Sequence, residues 1–269
     1  MLDRKYFNPI AYGRKLKRVI ASMLLALGVS FKIVTKVDGF RITFLAGSYK
    51  EYMLRAQESY RREEVTMYWL RTLIGADDVV YDIGANVGAY SLYAGNLVMK
   101  GSGLVYAFEP AFTNFFPLCR NIELNHFNET VIPYPIAFGQ STRESKFFLR
   151  STERGDARHG LSKPRSEGII FDPEFLQGTY VTSLDEFTCT AGVLFPNHVK
   201  IDVDGTEPDI IAGMESVMKD ERLKTIMIEI NADISQGGIE TTITECGLEE
   251  VMTEQWAGKN TFNKLFVRK

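Results

Sequence analysis

The feature that most narrows the fold is an ordered run between residues 79 and 109. Residues 79–81 form a short apolar strand, followed by the turn Asp82-Ile83-Gly84-Ala85-Asn86-Val87-Gly88 and a helical stretch over residues 90–99. A second apolar strand, residues 104–108, then ends in Glu109. Strand, glycine-bearing turn, helix and strand in this order make a βαβ unit, and βαβ units build parallel sheets. The alternation continues with a helix over 112–124, a strand over 131–137, a strand over 199–203, a helix over 208–218 and a strand over 225–230. Residues 248–252 and 262–267 close the chain as a hairpin-like pair. Pro133 and Pro135 cannot donate to a ladder, which puts their strand at a sheet edge. The expected fold is therefore α/β: a Rossmann-like, doubly wound, mostly parallel sheet. Upstream, residues 39–45 read as a strand and residues 50–74 as a helix. Residues 139–180, rich in Ser, Arg and Gly, are long for a simple connection and predict an insertion with structure or function of its own.

In doubly wound sheets, ligands sit beyond the carboxyl ends of the strands. Gly84 and Gly88 allow a tight turn and close approach of a ligand, and the helix start after them offers free N–H groups. Glu109 stands where a carboxylate accepts hydrogen bonds from ribose hydroxyls. A dinucleotide site prefers a third glycine where this chain has Asn86, and Asp82 would repel a diphosphate. Beside the sulfonium and ammonium groups of S-adenosylmethionine, Asp82 is instead favourable. The expected cofactor is thus S-adenosylmethionine; the alternative function is methylation of another acceptor atom such as nitrogen, and a nucleotide-dependent oxidoreductase is less favoured.

A buried parallel strand should read as continuously apolar, yet Val199-Lys200-Ile201-Asp202-Val203-Asp204 places Lys200, Asp202 and Asp204 on one face. Either Lys200 and Asp202 form a structural pair beside an exposed turn, or a functional carboxylate stands at the strand end. The strand over 225–230 likewise carries Glu229 and leads into Asn231. Methyl transfer to a neutral hydroxyl needs alignment, worth about 7–11 kcal/mol, and a proton acceptor worth about 100- to 10,000-fold. Asp202, Glu229 and His159 are the base or orienting candidates, His159 lying in the long insertion where a substrate lid fits. A divalent metal on Asp202, Glu229 and Asn231 is chemically conceivable; the favoured reading has no metal.

DIGANVGAYS, VYAFEPAFTNFFPLCRNIELN, PIAFG, VTSLDEF, VKIDVDGTEPDIIAGM and IMIEIN, in this order from about residue 75 onward, resemble the FkbM family of methyltransferases. Asp204 stands where that family usually has Glu. The resemblance implies a class I methyltransferase fold: a seven-stranded sheet whose last strand is antiparallel. It also implies O-methylation of sugar or natural-product hydroxyls. Cofactor contacts carry over to Asp82, Gly84, Ala85, Asn86, Gly88, Glu109 and Pro110, with Ala137 near the adenine. The Asn-Pro-Pro-Tyr run of many N-methyltransferases is missing, which disfavours an amine acceptor. Residues 63–269 would be the methyltransferase domain and residues 1–62 a basic extension.

Composition adds few constraints. Hydrophobic residues make up 45% and charged residues 24% of the 269 residues, as in ordinary globular proteins. A net charge of -3 gives no reason to expect nucleic-acid binding. Cys119, Cys189 and Cys246 are scattered, which argues for a reducing compartment, hence the cytoplasm. The first 36 residues hold eight Lys or Arg (Arg4, Lys5, Arg14, Lys15, Lys17, Arg18, Lys32, Lys36) against Asp3 alone. The uncharged stretch 19–31 is shorter than the roughly 20 apolar residues a spanning helix needs. It has the length of a signal-peptide core, but no small-x-small cleavage site follows. It reads as a helix packed on the body, with peripheral contact to a membrane surface as the alternative. The expected partner is a small-molecule or glycan substrate.

Overall fold

The computed structural model describes residues 9–235 and 238–269, with side chains described for 16–234 and 238–269. Helix α1 (Pro9–Ala26) leads into a hairpin of β1 (Phe31–Val37) and β2 (Phe40–Ala46). Its turn is Asp38-Gly39, both at positive φ, the two-residue loop whose twist matches antiparallel strands. The uncharged stretch 19–31 is therefore not one helix. Gly28, at φ +75°, ends the helical part, and Phe31 already belongs to β1. An unbroken apolar run has no period by which to see that division.

Residues 50–74 were expected as one helix and form three pieces: a π-helical stretch Glu51–Glu58, a turn of helix Ser59–Arg62, and α2 (Glu64–Leu73). Glu63, at φ -114° and ψ 85°, breaks the helix. The stretch before the break packs Tyr52 and Met53 against Ala21 and Ala46, whereas α2 packs Trp69 and Leu70 beneath the main sheet. No single helix axis serves both surfaces.

The core of the fold follows: β3 (Val79–Ile83), α3 (Ala89–Val98), β4 (Leu104–Phe108), α4 (Phe112–Leu124) and β5 (Val131–Tyr134). After the insertion come β6 (Arg143–Leu149), β7 (Phe175–Thr182), β8 (His198–Ile201), α5 (Glu207–Ala212), β9 (Thr225–Asn231), β10 (Leu248–Gln255) and β11 (Thr261–Arg268). Seven strands form the main sheet in the order β10-β11-β9-β8-β3-β4-β5. All neighbours pair in parallel except β11, which is antiparallel to both β9 and β10. The fold is the expected doubly wound one, with the last strand reversed and the Pro133-bearing strand at the edge.

Two expectations need correction. Ala137 is not part of β5; Ala137–Phe138 leaves the main sheet and pairs with Val181 and Thr182 of β7. Pro135 follows the last residue of β5, and its missing N–H suits the point where the ladder stops. The helix expected over 208–218 is likewise two short helices, Glu207–Ala212 and Glu215–Lys219, parted at Gly213. A Cβ on Gly213 would lie 2.2 Å from the Gly139 carbonyl oxygen. The insertion, as expected, has structure: β6 and β7 pair antiparallel, and Gly160–Leu161 adds to the edge of β6.

The strands sort their side chains to two buried faces. Tyr81, Ile83, Val199, Ile201, Ile228 and Ile230 belong to one core layer. Val80 and Met227 point to the other, where they meet Trp69, Leu92 and Phe44. The period of two puts Asp82, Lys200, Asp202 and Glu229 all on this second face. Lys200 pairs with Asp82 on one side and with Met227 on the other, so Asp202 and Glu229 come level at the carboxyl edge.

Candidate active site

The turn after β3 is shaped by neighbouring backbone. Gly84, at φ +82°, and Ala85 both donate their N–H groups to the Phe108 carbonyl. A Cβ on Gly84 would lie 1.8 Å from the Asp202 carbonyl oxygen, so only glycine lets this turn lie against the end of β8. Gly88, at φ +90°, instead backs onto the Leu118 side chain, at 2.6 Å from a built Cβ. Its role there is helix packing. Asn86 takes a left-handed conformation, φ 52°, and its N–H donates to Glu109 Oε2 at 2.9 Å. Ala111 N donates to Glu109 Oε1 at 2.8 Å. These two bonds hold the carboxylate at the tip of β4. Burial pushes Glu109 up to about 7 despite both bonds and the nearby charge of Arg55.

A cavity opens at this edge of the sheet, where doubly wound folds bind their ligands. Of the residues expected to hold the cofactor, Gly84, Asn86, Glu109, Pro110 and Ala137 line it. Asp82, Ala85 and Gly88 stand behind that lining. Asp82 is buried, accepts from Ser91 Oγ at 2.5 Å and lies 3.6 Å from Lys200 Nζ. Phe108, Ile136 and Phe138 give the cavity an apolar wall that suits a flat base, and Glu109 presents lone pairs suited to vicinal hydroxyls. These features fit an adenosyl group.

The three catalytic candidates fall in different places. Asp202 lines the cavity, and its Oδ2 accepts from Lys200 Nζ at 3.0 Å. Lys200 is 1% exposed; burial opposes its charge, but Asp202, Asp82 and Glu63 outweigh that and raise its pKa. Both readings of this strand thus meet in one arrangement, a buried ion pair whose carboxylate faces the cavity. Glu229, on the adjacent strand, is not part of the lining. Burial, then the charges of Asp202 and Asp204, raise it well above the ordinary carboxylate range. His159 lines the cavity from the insertion and is 7% exposed. Arg150 N donates to its Nδ1 at 3.2 Å, which leaves the ring proton on Nε2, an atom with no partner among the described residues. Burial lowers His159 to about 4, so the neutral ring offers the cavity a donor.

Further residues complete the site; Asp204 is marked by the charged face of its strand, and the roles of the others have no clear signal in the sequence. Asp204, at φ 62°, accepts from Arg158 N at 2.5 Å; burial and then Asp202 push it up to about 7. Glu207 accepts from Gly205 N at 3.1 Å, and burial pushes it up to about 7. Glu63, at the helix break, is raised by burial and then by Asp202. The Asp156 carbonyl accepts from both Asn86 Nδ2, at 2.7 Å, and Asn114 Nδ2, at 3.0 Å, which ties the insertion across the turn after β3. Arg55, from the π-helical stretch, also reaches the cavity. Among the described residues, no group of three or more His, Cys, Asp or Glu is placed to hold a metal ion.

The chain is similar to known methyltransferases. Residues 82–252, more than half of the chain, match the Methyltransferase FkbM domain family. Hexuronic acid methyltransferase AglP of Haloferax volcanii is 26% identical over 223 residues, covering 82% of this chain and 84% of that protein. Methyltransferase FkbM from Methylobacillus flagellatus KT aligns over 72% of this chain with a TM-score of 0.49 and 15% identity, and this chain spans 44% of that protein's length. TYW2 of M. jannaschii, solved in complex with AdoMet, aligns over 90% of this chain and 89% of that one, with a TM-score of 0.43 and 16% identity. The chain belongs to the FkbM methyltransferase family, and it is an enzyme whose methyl donor is S-adenosylmethionine.

Proposed function

We propose that the enzyme methylates a hydroxyl group of a sugar, glycan or small natural product. The observation that carries this reading is Asp202, a carboxylate on the cavity wall whose Oδ2 is held by buried Lys200 and whose Oδ1 makes no hydrogen bond with any described residue. S-adenosylmethionine supplies an electrophilic methyl group. Asp202 Oδ1 accepts the proton of the acceptor hydroxyl, and Lys200 keeps the carboxylate fixed while it does so. Glu229, raised toward the protonated form, stands level with Asp202 at the strand edge but outside the lining, so its effect on the acceptor runs through Asp202. His159 Nε2 donates to a ligand oxygen or nitrogen and so positions rather than deprotonates. Positioning accounts for the larger share of the barrier, about 7–11 kcal/mol against roughly 3–5 for a base.

A carbohydrate acceptor is favoured by the likeness to a hexuronic acid methyltransferase. The test is a panel of uronic acids, neutral hexoses, lipid-linked glycans and amines with labelled S-adenosylmethionine. Transfer to a sugar hydroxyl supports the reading, and transfer to amines alone overturns it.

The basic extension, residues 1–62, adds a location to the domain of residues 63–269. α1 packs through Ala21 and Leu25 but leaves Leu16, Val19, Ile20 and Met23 exposed, beside exposed Lys17 and Arg18. Arg4 and Lys5, and the side chains of Arg14 and Lys15, lie outside the described residues. No helix among the described residues is long and apolar enough to cross a membrane. We place this apolar face, flanked by cations, on the surface of an anionic membrane, with the catalytic domain on its cytoplasmic side.

A further inference from the structure

Arg55 is the one cationic side chain among the described residues that line the cavity. The other charged groups there are Glu109, Asp156, Asp202 and Asp204, and His159 is neutral. Arg55 Nε donates to the Gly155 carbonyl at 3.0 Å, which fixes the plane of the guanidinium. Nη1 and Nη2 form no hydrogen bond or ion pair with any described residue. A half-buried guanidinium with two free donor groups facing a cavity is built to take an anion, because a carboxylate matches its fork.

The surroundings hold that fork in place. Ser48 Oγ donates to the Arg154 carbonyl at 2.6 Å, and Lys50 pairs with Asp156 at 2.7 Å and with Glu153 at 3.0 Å. The segment 153–156 is thereby laid across the π-helical stretch that carries Arg55. The charge of Arg55 lowers both Glu109 and Asp204, against the larger upward effect of their burial.

The cofactor carries two positive groups, the sulfonium and the ammonium, and one negative group, the α-carboxylate. The cavity carries the opposite balance: several carboxylates and one cation. With the ribose at Glu109 and the cationic groups toward Asp202 and Asp204, Arg55 is the one cation among the described lining residues left to attract the α-carboxylate. We propose that Arg55 binds the α-carboxylate of the methionyl group of S-adenosylmethionine through Nη1 and Nη2. This assignment rests on the cavity being the cofactor site. It makes the N-terminal extension part of that site, so the segment matching the family would bind the cofactor poorly without it.

Calorimetry with two ligands tests the assignment. S-adenosylhomocysteine carries the α-carboxylate, and 5′-methylthioadenosine is the same nucleoside without the amino-acid tail. Arg55→Gln should weaken S-adenosylhomocysteine about tenfold or more, equivalent to about 1.4 kcal/mol, while methylthioadenosine changes less than about twofold. Arg55→Lys should recover part of the loss, because charge is kept and the fork is not. Equal loss of both ligands would overturn the assignment in favour of a purely structural Arg55. Unchanged S-adenosylhomocysteine affinity with weaker binding of glucuronate would also overturn it, moving Arg55 to the acceptor. No binding of methylthioadenosine to the unaltered protein would overturn the location of the cofactor itself, and the assignment with it.

Discussion

Lys200 Nζ lies 3.0 Å from Asp202 Oδ2, in a pair whose lysine side chain is 2% exposed and whose carboxylate is 32% exposed. The pair is asymmetric: the cation is enclosed, and the anion reaches the cavity. Asp82 stands on the other side of Lys200, at 3.6 Å, and Glu63 adds a third acidic charge to its surroundings.

That asymmetry predicts different outcomes for the two partners. Asp202→Asn leaves Lys200 beside Asp82, so stability should fall by no more than about 2 kcal/mol, short of the 3–5 typical of a fully stranded charge. Turnover should fall by about 100-fold or more, with S-adenosylhomocysteine affinity within a few-fold of the unaltered protein. Lys200→Met strands buried Asp82 and should cost about 3–5 kcal/mol. Thermal melts run beside kinetics check both. A destabilised Asp202→Asn variant with normal turnover would reduce the pair to a structural role.

Glu109 predicts a pH dependence of cofactor binding. Ribose hydroxyls donate to the ionised carboxylate, and the ligand-free group titrates at about 7. Affinity for S-adenosylhomocysteine should therefore fall below pH 7, approaching about tenfold per unit for a single proton, and level off above about pH 8. Glu109→Gln should flatten this profile, and Glu109→Ala should weaken binding at pH 8 by about tenfold. The ligand-free protein should show the opposite trend in stability. Glu109, Asp204 and Glu207 all have folded values of about 7, above their unfolded ones. Their contribution is complete below about pH 4 and is lost as pH rises through about 7. Calorimetric titrations and melts from pH 5 to 9 separate the two trends.

Gly84 and Gly88 should not be equally sensitive. Both have positive φ, which costs an alanine roughly 1–2 kcal/mol. Gly84→Ala also drives its Cβ to 1.8 Å from the Asp202 carbonyl oxygen, a backbone atom that cannot step aside. At Gly88 the obstacle is the end of the Leu118 side chain, at 2.6 Å. Gly84→Ala should therefore abolish measurable S-adenosylhomocysteine binding, while Gly88→Ala should lower the melting temperature and keep binding within about tenfold. The reverse order in calorimetry would show that the turn is held by other contacts.

α1 predicts salt-sensitive membrane association. Cosedimentation with vesicles containing anionic lipid should be strong at low salt and weaker at high salt, since exposed charges are screened. Met23→Glu, at a residue 64% exposed, should reduce binding at both salt concentrations without altering the melting temperature. Absence of binding to anionic vesicles at low salt would leave the exposed face of α1 to another partner.

Much of the fold is written locally in the chain. The alternation of apolar strands and helices, the glycines of the turn after β3 and the acid at the tip of β4 lie within thirty-odd consecutive residues, where spacing alone fixes what faces the ligand. The tertiary structure decided what spacing does not reach. Arg55 sits in a stretch that reads as an ordinary charged helix, and its meaning comes from Gly155, one hundred positions away, and from the acids opposite it. Whether Lys200 and Asp202 were structural or functional could not be read from one strand, because the answer depends on Asp82 across the ladder and on which partner the cavity touches. The split of residues 19–31 into helix and strand was hidden for a related reason: an apolar run carries no period, and only its partners, Tyr52 beneath α1 and Ala46 across from Phe31, determine where one element stops. Hydrophobic periodicity records which face of an element is buried, and polar contacts between distant segments arise only once those faces have packed.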